Sequence, residues 1–153
     1  MTLTSHGTVQ PPLRVVIDTS VLLRYLIKPS AAIKELVEVW WLGGAIQLVT
    51  ATELLAELGD VLSRPTIQTL VRDDEGRVLL DAINLLADTI SALGIIPSFS
   101  RDPKDDKFIA CALAGSAHFL ITTDEDLLVL NEIEDVLILT PYHFVALLKN
   151  LEG

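Results

Sequence analysis

The feature that most restricts the fold is a regular alternation of short β-rich runs with longer segments of helical period. The predicted strands are residues 13–18, 46–50, 95–98, 118–122 and 136–140. The predicted helices are residues 31–42, 52–63, 77–91, 105–114 and 142–151. This alternation predicts an α/β fold, in which helices cover both faces of a mostly parallel sheet. Ligand sites in such folds lie beyond the carboxyl ends of the strands.

The chain has 153 residues, which fits a single domain over 13–150 behind a flexible N-terminal tail over 1–12. The tail lacks the apolar region of a signal peptide, and no apolar stretch reaches the roughly 18 residues that span a bilayer. We therefore expect a soluble, cytoplasmic protein. The single cysteine, Cys111, excludes an internal disulfide and a cysteine-based zinc site.

The charge of the chain is strongly acidic, with 21 Asp and Glu against 11 Lys and Arg and a net charge of -10. This balance is opposite to the basic footprint of most nucleic-acid-binding domains. Carboxylates gathered around divalent cations are an exception, because the bound ions present positive charge to a phosphate. The positions of the acids must therefore decide between these possibilities.

Two aspartates end predicted strands. Asp18 lies in VVIDTSVLL and Asp124 lies in FLITTDEDLL, each directly before an apolar run. Both positions also suit a helix N-cap, which is the alternative interpretation. If the two strands are neighbours, the carboxylates start within about 5 Å of each other, one strand spacing. A metal ion could then bridge them.

The helix predicted over 52–63 offers a third acid. Its apolar arc is formed by Leu54, Leu55, Leu58, Val61 and Leu62. Glu57 lies about 40° outside this arc and Glu53 about 80° outside it, at 100° per residue. Glu57 is therefore the acid closer to the core, and Glu53 is predicted to be solvated. A solvated flank position remains the alternative for Glu57, because a half-buried carboxylate costs free energy unless it is paired or metal-bound.

The fourth acidic place is RDPKDDKFIACAL, where Pro103 limits any earlier helix and Asp105 or Asp106 begins the next. The helix dipole alone also favours acids in a first turn, and periodicity does not choose between the two residues. Four acids on four segments are thus predicted to meet at one edge of the sheet. Their ligand atoms are all oxygen, which suits Mg²⁺ or Mn²⁺.

In order and spacing, these segments resemble PIN-domain ribonucleases, especially the VapC-like bacterial and archaeal group described as toxins of toxin–antitoxin systems. The resemblance covers residues 13–148. It implies a three-layer α/β/α fold whose central parallel sheet has about five strands in the order 3-2-1-4-5. It also implies an acidic pocket that binds Mg²⁺ or Mn²⁺ and cleaves RNA. The segments are VVIDTSVLL, VTATELLAELGDVLSRP, DPKDDKFIACALAGSAHFLITTDEDLL and VLILTPYHFVALL.

The resemblance also implies roles for individual residues. The catalytic, metal-holding acids fall on Asp18, Glu57, Asp106 and Asp124, and Asp126 is a further candidate metal ligand. Thr19, Ser20 and Thr123, or Thr122 in its place, are expected to orient the aspartates. Ser20 stands where the family commonly has Asn, and a serine hydroxyl can still donate to a carboxylate.

The leading hypothesis is a Mg²⁺- or Mn²⁺-dependent endoribonuclease with RNA as substrate and a small antitoxin protein as partner. A homodimer is a further expectation, and the run Trp40, Trp41, Leu42 is a candidate surface for either partner unless it is core. The basic residues near the motifs are candidate phosphate contacts or ordinary surface charges: Arg24, Lys28, Arg101, Lys104 and Lys107.

Two alternatives come from other classes of protein. One is a PIN-fold module with a weak site that acts only by binding protein. The other is a Toprim-like or receiver-like domain, but Toprim needs a glutamate where Asp18 stands, and a receiver needs an acidic pair there and a downstream lysine.

Overall fold

The computed structural model describes residues 2–3, 9–10, 12–72 and 74–152. Near the N-terminus, β1 (Thr2–Leu3) and β2 (Val9–Gln10) form a small antiparallel pair. The rest of the tail predicted over 1–12, apart from residue 12, lies outside the described residues.

The central sheet has six strands in the order β5-β4-β3-β6-β8-β7. Five of them are parallel and reproduce the expected order 3-2-1-4-5, which confirms the predicted fold. The sixth, β7, pairs antiparallel with β8 at one edge and was not predicted. The strands are β3 (Leu13–Ile17), β4 (Ile46–Ala51), β5 (Asp88–Ile90), β6 (Phe119–Ile121), β7 (Glu132–Ile133) and β8 (Val136–Leu139).

Helices cover both faces of this sheet. Successive strand residues point to opposite faces, so Val15 and Ile17 join one apolar core while Val16 joins the other. The α-helices are α1 (Thr19–Ile27), α2 (Ala31–Glu35), α3 (Thr52–Ser63), α4 (Pro65–Gln68), α5 (Glu75–Leu86), α6 (Asp106–Ala114), α7 (Glu125–Leu128) and α8 (Pro141–Glu152). A 3₁₀ turn, Pro103–Asp105, precedes α6. In the described part of the chain, no helix combines the length and the apolarity that a membrane crossing needs.

The third strand was predicted in the wrong place. It is Asp88–Ile90, inside the helix predicted over 77–91, which already ends at Leu86. Parallel pairing with β4 is what makes this short segment a strand. The segment predicted instead, 95–98, contains Ile95, which is 98% exposed, and Pro97, which has no N–H to donate to a sheet.

Of the two alternatives for the tryptophans, a partner surface or the core, the structure shows the core. After α2 the chain continues as a π-helix, Leu36–Trp41. Its wider turn lets two adjacent residues, Trp40 and Trp41, both point inward, and they are only 7% and 3% exposed. The Trp40 indole N–H donates to Glu35 at 3.0 Å. Of the predicted run only Leu42, 47% exposed, lies at the surface.

Candidate active site

Asp18 lies where β3 ends beside β6. The two strands are parallel neighbours with Ile17 opposite Ile121, and the Asp18 N–H continues the ladder by donating to the Ile121 carbonyl at 2.9 Å. The Asp18 carboxylate accepts from the Thr122 hydroxyl at 2.7 Å and from the Ser20 N–H at 3.2 Å. Asp18 therefore caps α1 and at the same time places a carboxylate, on a residue 5% exposed, at the edge of the sheet.

The electrostatic state of Asp18 reflects this burial. Desolvation raises the pKa of its carboxyl above the ordinary value, and the nearby Asp124 carboxylate raises it further. The hydrogen bonds from Thr122 and Ser20 act in the opposite direction and stabilise the ionised form. A cation at this place would remove the remaining penalty.

Asp124 lies just past the end of β6 and caps α7, since its carboxylate accepts from the Asp126 N–H at 2.9 Å. Its own N–H donates to the Thr122 hydroxyl oxygen at 3.0 Å. The fully buried Thr122 thus connects the two strand-end aspartates. Thr122, and not Thr123, makes these contacts.

Glu57 reaches the same region from α3. One carboxylate oxygen accepts from the Thr19 hydroxyl at 2.9 Å, and the other lies 3.0 Å from the Lys107 ammonium. Thr19 directly follows Asp18, so the first turn of α1 links the two acids.

Glu53, one turn earlier on α3, is not simply solvated as predicted. It accepts from the Leu93 N–H at 2.8 Å and from the Thr52 hydroxyl at 2.8 Å, and these bonds lower its pKa. Glu53 therefore holds the chain that follows β5, and Glu57 contacts Thr19, the neighbour of Asp18. The different angular positions of Glu53 and Glu57 around α3 account for their different contacts.

Asp105 and Asp106 are adjacent and both buried, at 7% and 4% exposure, but their environments differ. One Asp106 oxygen accepts from the Phe99 N–H at 3.1 Å and from the N–H and hydroxyl of Ser100 at 2.8 and 2.9 Å. Among the described residues, Oδ2 of Asp105 has no hydrogen-bond partner although it is buried. Asp106 therefore organises the preceding loop, and Asp105 carries an unsatisfied oxygen.

The Asp105 carboxyl belongs to the acidic cluster. Its pKa is raised to about 7, most strongly by burial and further by the carboxylates of Asp124, Asp102 and Asp18. The structure thus brings Asp105 together with Asp18 and Asp124, and the ligand role that the resemblance implied for Asp106 stays a prediction.

Asp126 lies at the outer side of the cluster. One oxygen from each of Asp126, Asp105 and Asp102 falls within 4.8 Å of the others. Asp126 also contacts the Arg101 guanidinium at 2.8 Å. Sequence reasoning did not select Asp102 as a ligand, although its position at the start of the 3₁₀ turn, where it accepts from the Lys104 N–H, was a usable signal.

The donor set fits a divalent cation of the Mg²⁺ or Mn²⁺ type. Every candidate ligand is a carboxylate oxygen, which these ions prefer. A buried carboxylate oxygen without a donor is costly, and a cation would satisfy it. A cavity of about 580 Å³ lies elsewhere, among α1, the π-helix and α5, and none of these aspartates lines it.

The comparison with protein families agrees with this geometry. The PIN domain model matches residues 14–126, which is more than half of the chain. The chain belongs to the PIN domain family. The matched segment of this PIN domain begins in β3 and ends at Asp126, so it contains every carboxylate described above.

A solved structure shows the same fold. This PIN domain is similar to a chain in the crystal structure of VapBC2 from Rickettsia felis bound to a DNA fragment from their promoter. The TM-score is 0.54 at 15% sequence identity, and the match covers 82% of this chain and 97% of that chain. No curated protein gives a significant match.

Proposed function

We propose that this PIN domain is a metal-dependent endoribonuclease whose Mg²⁺ or Mn²⁺ is held by Asp18, Glu57, Asp105 and Asp124. The observation that carries the proposal is the buried, unpartnered oxygen of Asp105 beside Asp18 and Asp124. In this proposal Asp105 takes the ligand role that the sequence resemblance implied for Asp106, because Oδ1 of Asp106 already accepts from three donors, whereas Oδ2 of Asp105 is buried and accepts from none.

The protein residues prepare the site for hydrolysis. Thr122 holds Asp18 and Thr19 holds Glu57, so both carboxylates are oriented before a ligand arrives. A bound divalent ion would lower the pKa of a water and polarise the scissile phosphodiester. Arg101 and Lys107 border the acids and supply positive charge for the RNA backbone.

We also propose that the protein is the toxin of a toxin–antitoxin pair, acts in the cytoplasm and is neutralised by a small antitoxin protein. The VapC-like sequence resemblance supports this, and so does the likeness of the fold to a chain of VapBC2. A homodimer stays a prediction.

The enzymatic proposal is tested with purified protein and labelled RNA in the presence of Mn²⁺. Asp18→Asn and Asp124→Asn should each reduce cleavage at least about 100-fold, since each removes a metal ligand. Glu125→Gln is the matched control, because it removes one charge from the exposed side of the same segment and should keep full activity. Circular dichroism checks that each variant is folded.

Full activity of either aspartate variant would overturn the site assignment. Absence of Mn²⁺-dependent cleavage by the folded wild type would favour the alternative, a PIN-fold binding module.

The toxin proposal has a separate test in cells. Expression of the wild type should arrest growth, Asp18→Asn should be harmless at equal soluble level, and co-expression of a small protein encoded beside it should restore growth. Normal growth with soluble wild-type protein would argue for a housekeeping nuclease instead.

A further inference from the structure

Two aromatic side chains lie exposed where α8 begins. Tyr142 is 69% exposed, and His143 beside it is also exposed. Their ring centroids are 5.6 Å apart, and the ring planes meet at 69°. A contact this steep covers at most one face of each ring, so aromatic surface stays open to solvent. Burial in a core therefore does not explain Tyr142.

The helix that carries these rings packs on the domain with another side. Phe144 is fully buried and contacts Phe119 with the ring centroids 5.0 Å apart. Tyr142 precedes Phe144 by two residues, which is about 200° around an α-helix, so its side chain points away from this core. Helical side chains also tilt toward the N-terminus of their helix. The two rings therefore project beyond the start of α8.

The start of α8 lies at the sheet edge that carries the acids. β8 and β6 are parallel neighbours with Leu139 opposite Ile121, and the Thr122 N–H donates to the Leu139 carbonyl at 3.0 Å. The hydroxyl of the same Thr122 donates to Asp18 at 2.7 Å. Because β6 lies between β3 and β8, the end of β8 is about 10 Å from the end of β3, which is two strand spacings.

The backbone between β8 and the ring pair is held by hydrogen bonds. The hydroxyl oxygen of Thr140 accepts from the His143 N–H at 3.1 Å, and its carbonyl accepts from the Phe144 N–H at 2.9 Å. Pro141, which is buried, begins the helix, and its ring fixes φ near about -65°. The backbone under the two rings is thus ordered before a ligand arrives, which lowers the entropy cost of binding.

The charge near this edge favours a ligand that is held by its bases. The chain has a net charge of -10, and Lys107 and Arg101 beside the acids are each paired with a carboxylate. Attraction to phosphates, which supplies most of the affinity in ordinary nucleic-acid binding, is therefore weakened here. A base stacks on an open aromatic ring without needing positive charge.

We propose that Tyr142, supported by His143, stacks on a base of single-stranded RNA close to the scissile phosphate. RNA as the ligand rests on the function proposed above. Bases in an RNA duplex are already stacked on each other, whereas unpaired bases are free to stack on aromatic side chains. The ring pair therefore selects unpaired nucleotides, and it does so with little preference for sequence because every base has an aromatic face.

Binding of labelled single-stranded RNA, measured by fluorescence anisotropy, tests the proposal. The measurements use Asp18→Asn protein with Mn²⁺, so that the RNA stays intact. Adding Tyr142→Ala should weaken binding about 5- to 10-fold, and adding Tyr142→Phe should leave binding unchanged because the ring is kept. Leu151→Ala is the matched control, since Leu151 is also 69% exposed but lies about 14 Å further along α8. It should bind RNA like the parent protein.

RNA of the same length without bases separates stacking from other roles of the tyrosine. Removal of the bases should weaken binding to the protein that keeps Tyr142, and Tyr142→Ala should then cause little further loss. A full loss on the abasic RNA would mean that the tyrosine acts on the RNA backbone or on the fold, and would overturn stacking. Unchanged binding of ordinary RNA by Tyr142→Ala would also overturn it, and weakened binding of a small partner protein by that variant would assign the rings to the partner.

Cleavage assays keep this proposal separate from the proposed nuclease. In otherwise wild-type protein, Tyr142→Ala should raise KM and leave kcat nearly unchanged, because the ring binds RNA without touching the reacting atoms. RNA binding that depends on Tyr142, without cleavage by the wild type, would overturn the nuclease and support stacking. Cleavage with a KM that is independent of Tyr142 would overturn stacking alone.

Discussion

The two ends of the central sheet differ in how completely their charged side chains are paired. At the amino end, the Arg14 guanidinium contacts Asp88 at 2.6 Å and donates to the Gly115 carbonyl at 2.8 Å, and the Arg14 N–H donates to His118 at 2.9 Å. At the carboxyl end, acids outnumber the side-chain cations that pair with them. At the amino end, the charge of Arg14 is paired within the chain, and this pairing stabilises the fold. At the carboxyl end, negative charge is left without a paired cation, which favours the binding of a metal ion.

The same difference occurs within one helical turn. Asp106 is buried with three donors on one oxygen, whereas its neighbour Asp105 is buried with an oxygen that has none. Burial alone therefore does not mark a functional acid. Within this adjacent pair the supply of hydrogen-bond donors differs, and it decides how far each negative charge is already stabilised.

The largest expected effect comes from neutralising each acid of this pair in turn. Asp105→Asn should reduce Mn²⁺-dependent cleavage at least about 100-fold and make the metal-free protein more stable, because a repelled charge is lost. Asp106→Asn should instead destabilise the fold by about 1–2 kcal/mol, because its bonds lose their charge assistance. Thermal denaturation in EDTA and RNA cleavage measure the two effects. If the Asp106 variant is the more stable and inactive one, the two roles must be exchanged.

A second comparison lies on α3. Glu57→Gln should reduce kcat about 10- to 100-fold, since a metal ligand that is already oriented by Thr19 is weakened. Glu53→Gln should change kcat little, because the Glu53 carboxylate accepts from the Leu93 N–H and the Thr52 hydroxyl. Comparable losses in both variants would show that the loop after β5 contributes to catalysis.

The stability of the metal-free protein should depend on pH through the ionisation of Asp105. The Asp105 pKa is about 7 in the folded protein, against roughly 3.9 in an unfolded chain. The folded state therefore binds more protons between these values, and the metal-free protein should become less stable as pH rises from about 4 to 7. We expect a fall in Tm of roughly 5 °C over this interval. Asp105→Asn should flatten the curve, and a wild-type Tm independent of pH would contradict the assignment.

The smallest effect concerns the amino end of the sheet. Arg14→Met should lower the free energy of unfolding by about 1 kcal/mol, through loss of the Asp88 pair and the Gly115 hydrogen bond, and should leave cleavage unchanged. Arg77→Met, which breaks exposed pairs with Asp74 and Asp81, is the control and should cost less than about 0.5 kcal/mol. Urea titrations measure the free energy of unfolding of both variants. Equal losses would show that the Arg14 contacts stabilise the fold no more than an exposed ion pair does.

The sequence predicted the features that depend on local pattern. Apolar runs that stop at an acid located β3 and β6 and placed Asp18 and Asp124 at their ends. The N-cap role and the site position are compatible, because the capping bond uses one oxygen of each carboxylate, and at Asp18 the other oxygen accepts from Thr122.

The features that depend on tertiary contacts were missed. Asp88–Ile90 becomes a strand because β4 offers it an edge, although the helical period of α5 continues past Leu86 in the sequence. Residue spacing also left the choice between Asp105 and Asp106 open, because the 3₁₀ turn before α6 has a different angular period from the α-helix. Neither effect leaves a trace in residue spacing.

The π-helix also gives this protein an optical property. Trp40 and Trp41 are its only tryptophans, and the wide turn places both indoles in the same apolar core. Their fluorescence emission therefore reports the loss of that core on unfolding. The hydrogen bond recorded for an indole in the described part of the chain joins Trp40 to Glu35, so a titration with Mg²⁺ at the sheet edge should leave the emission wavelength unchanged while the protein stays folded. A single spectrum can thus separate unfolding from ion binding in every variant that retains the π-helix.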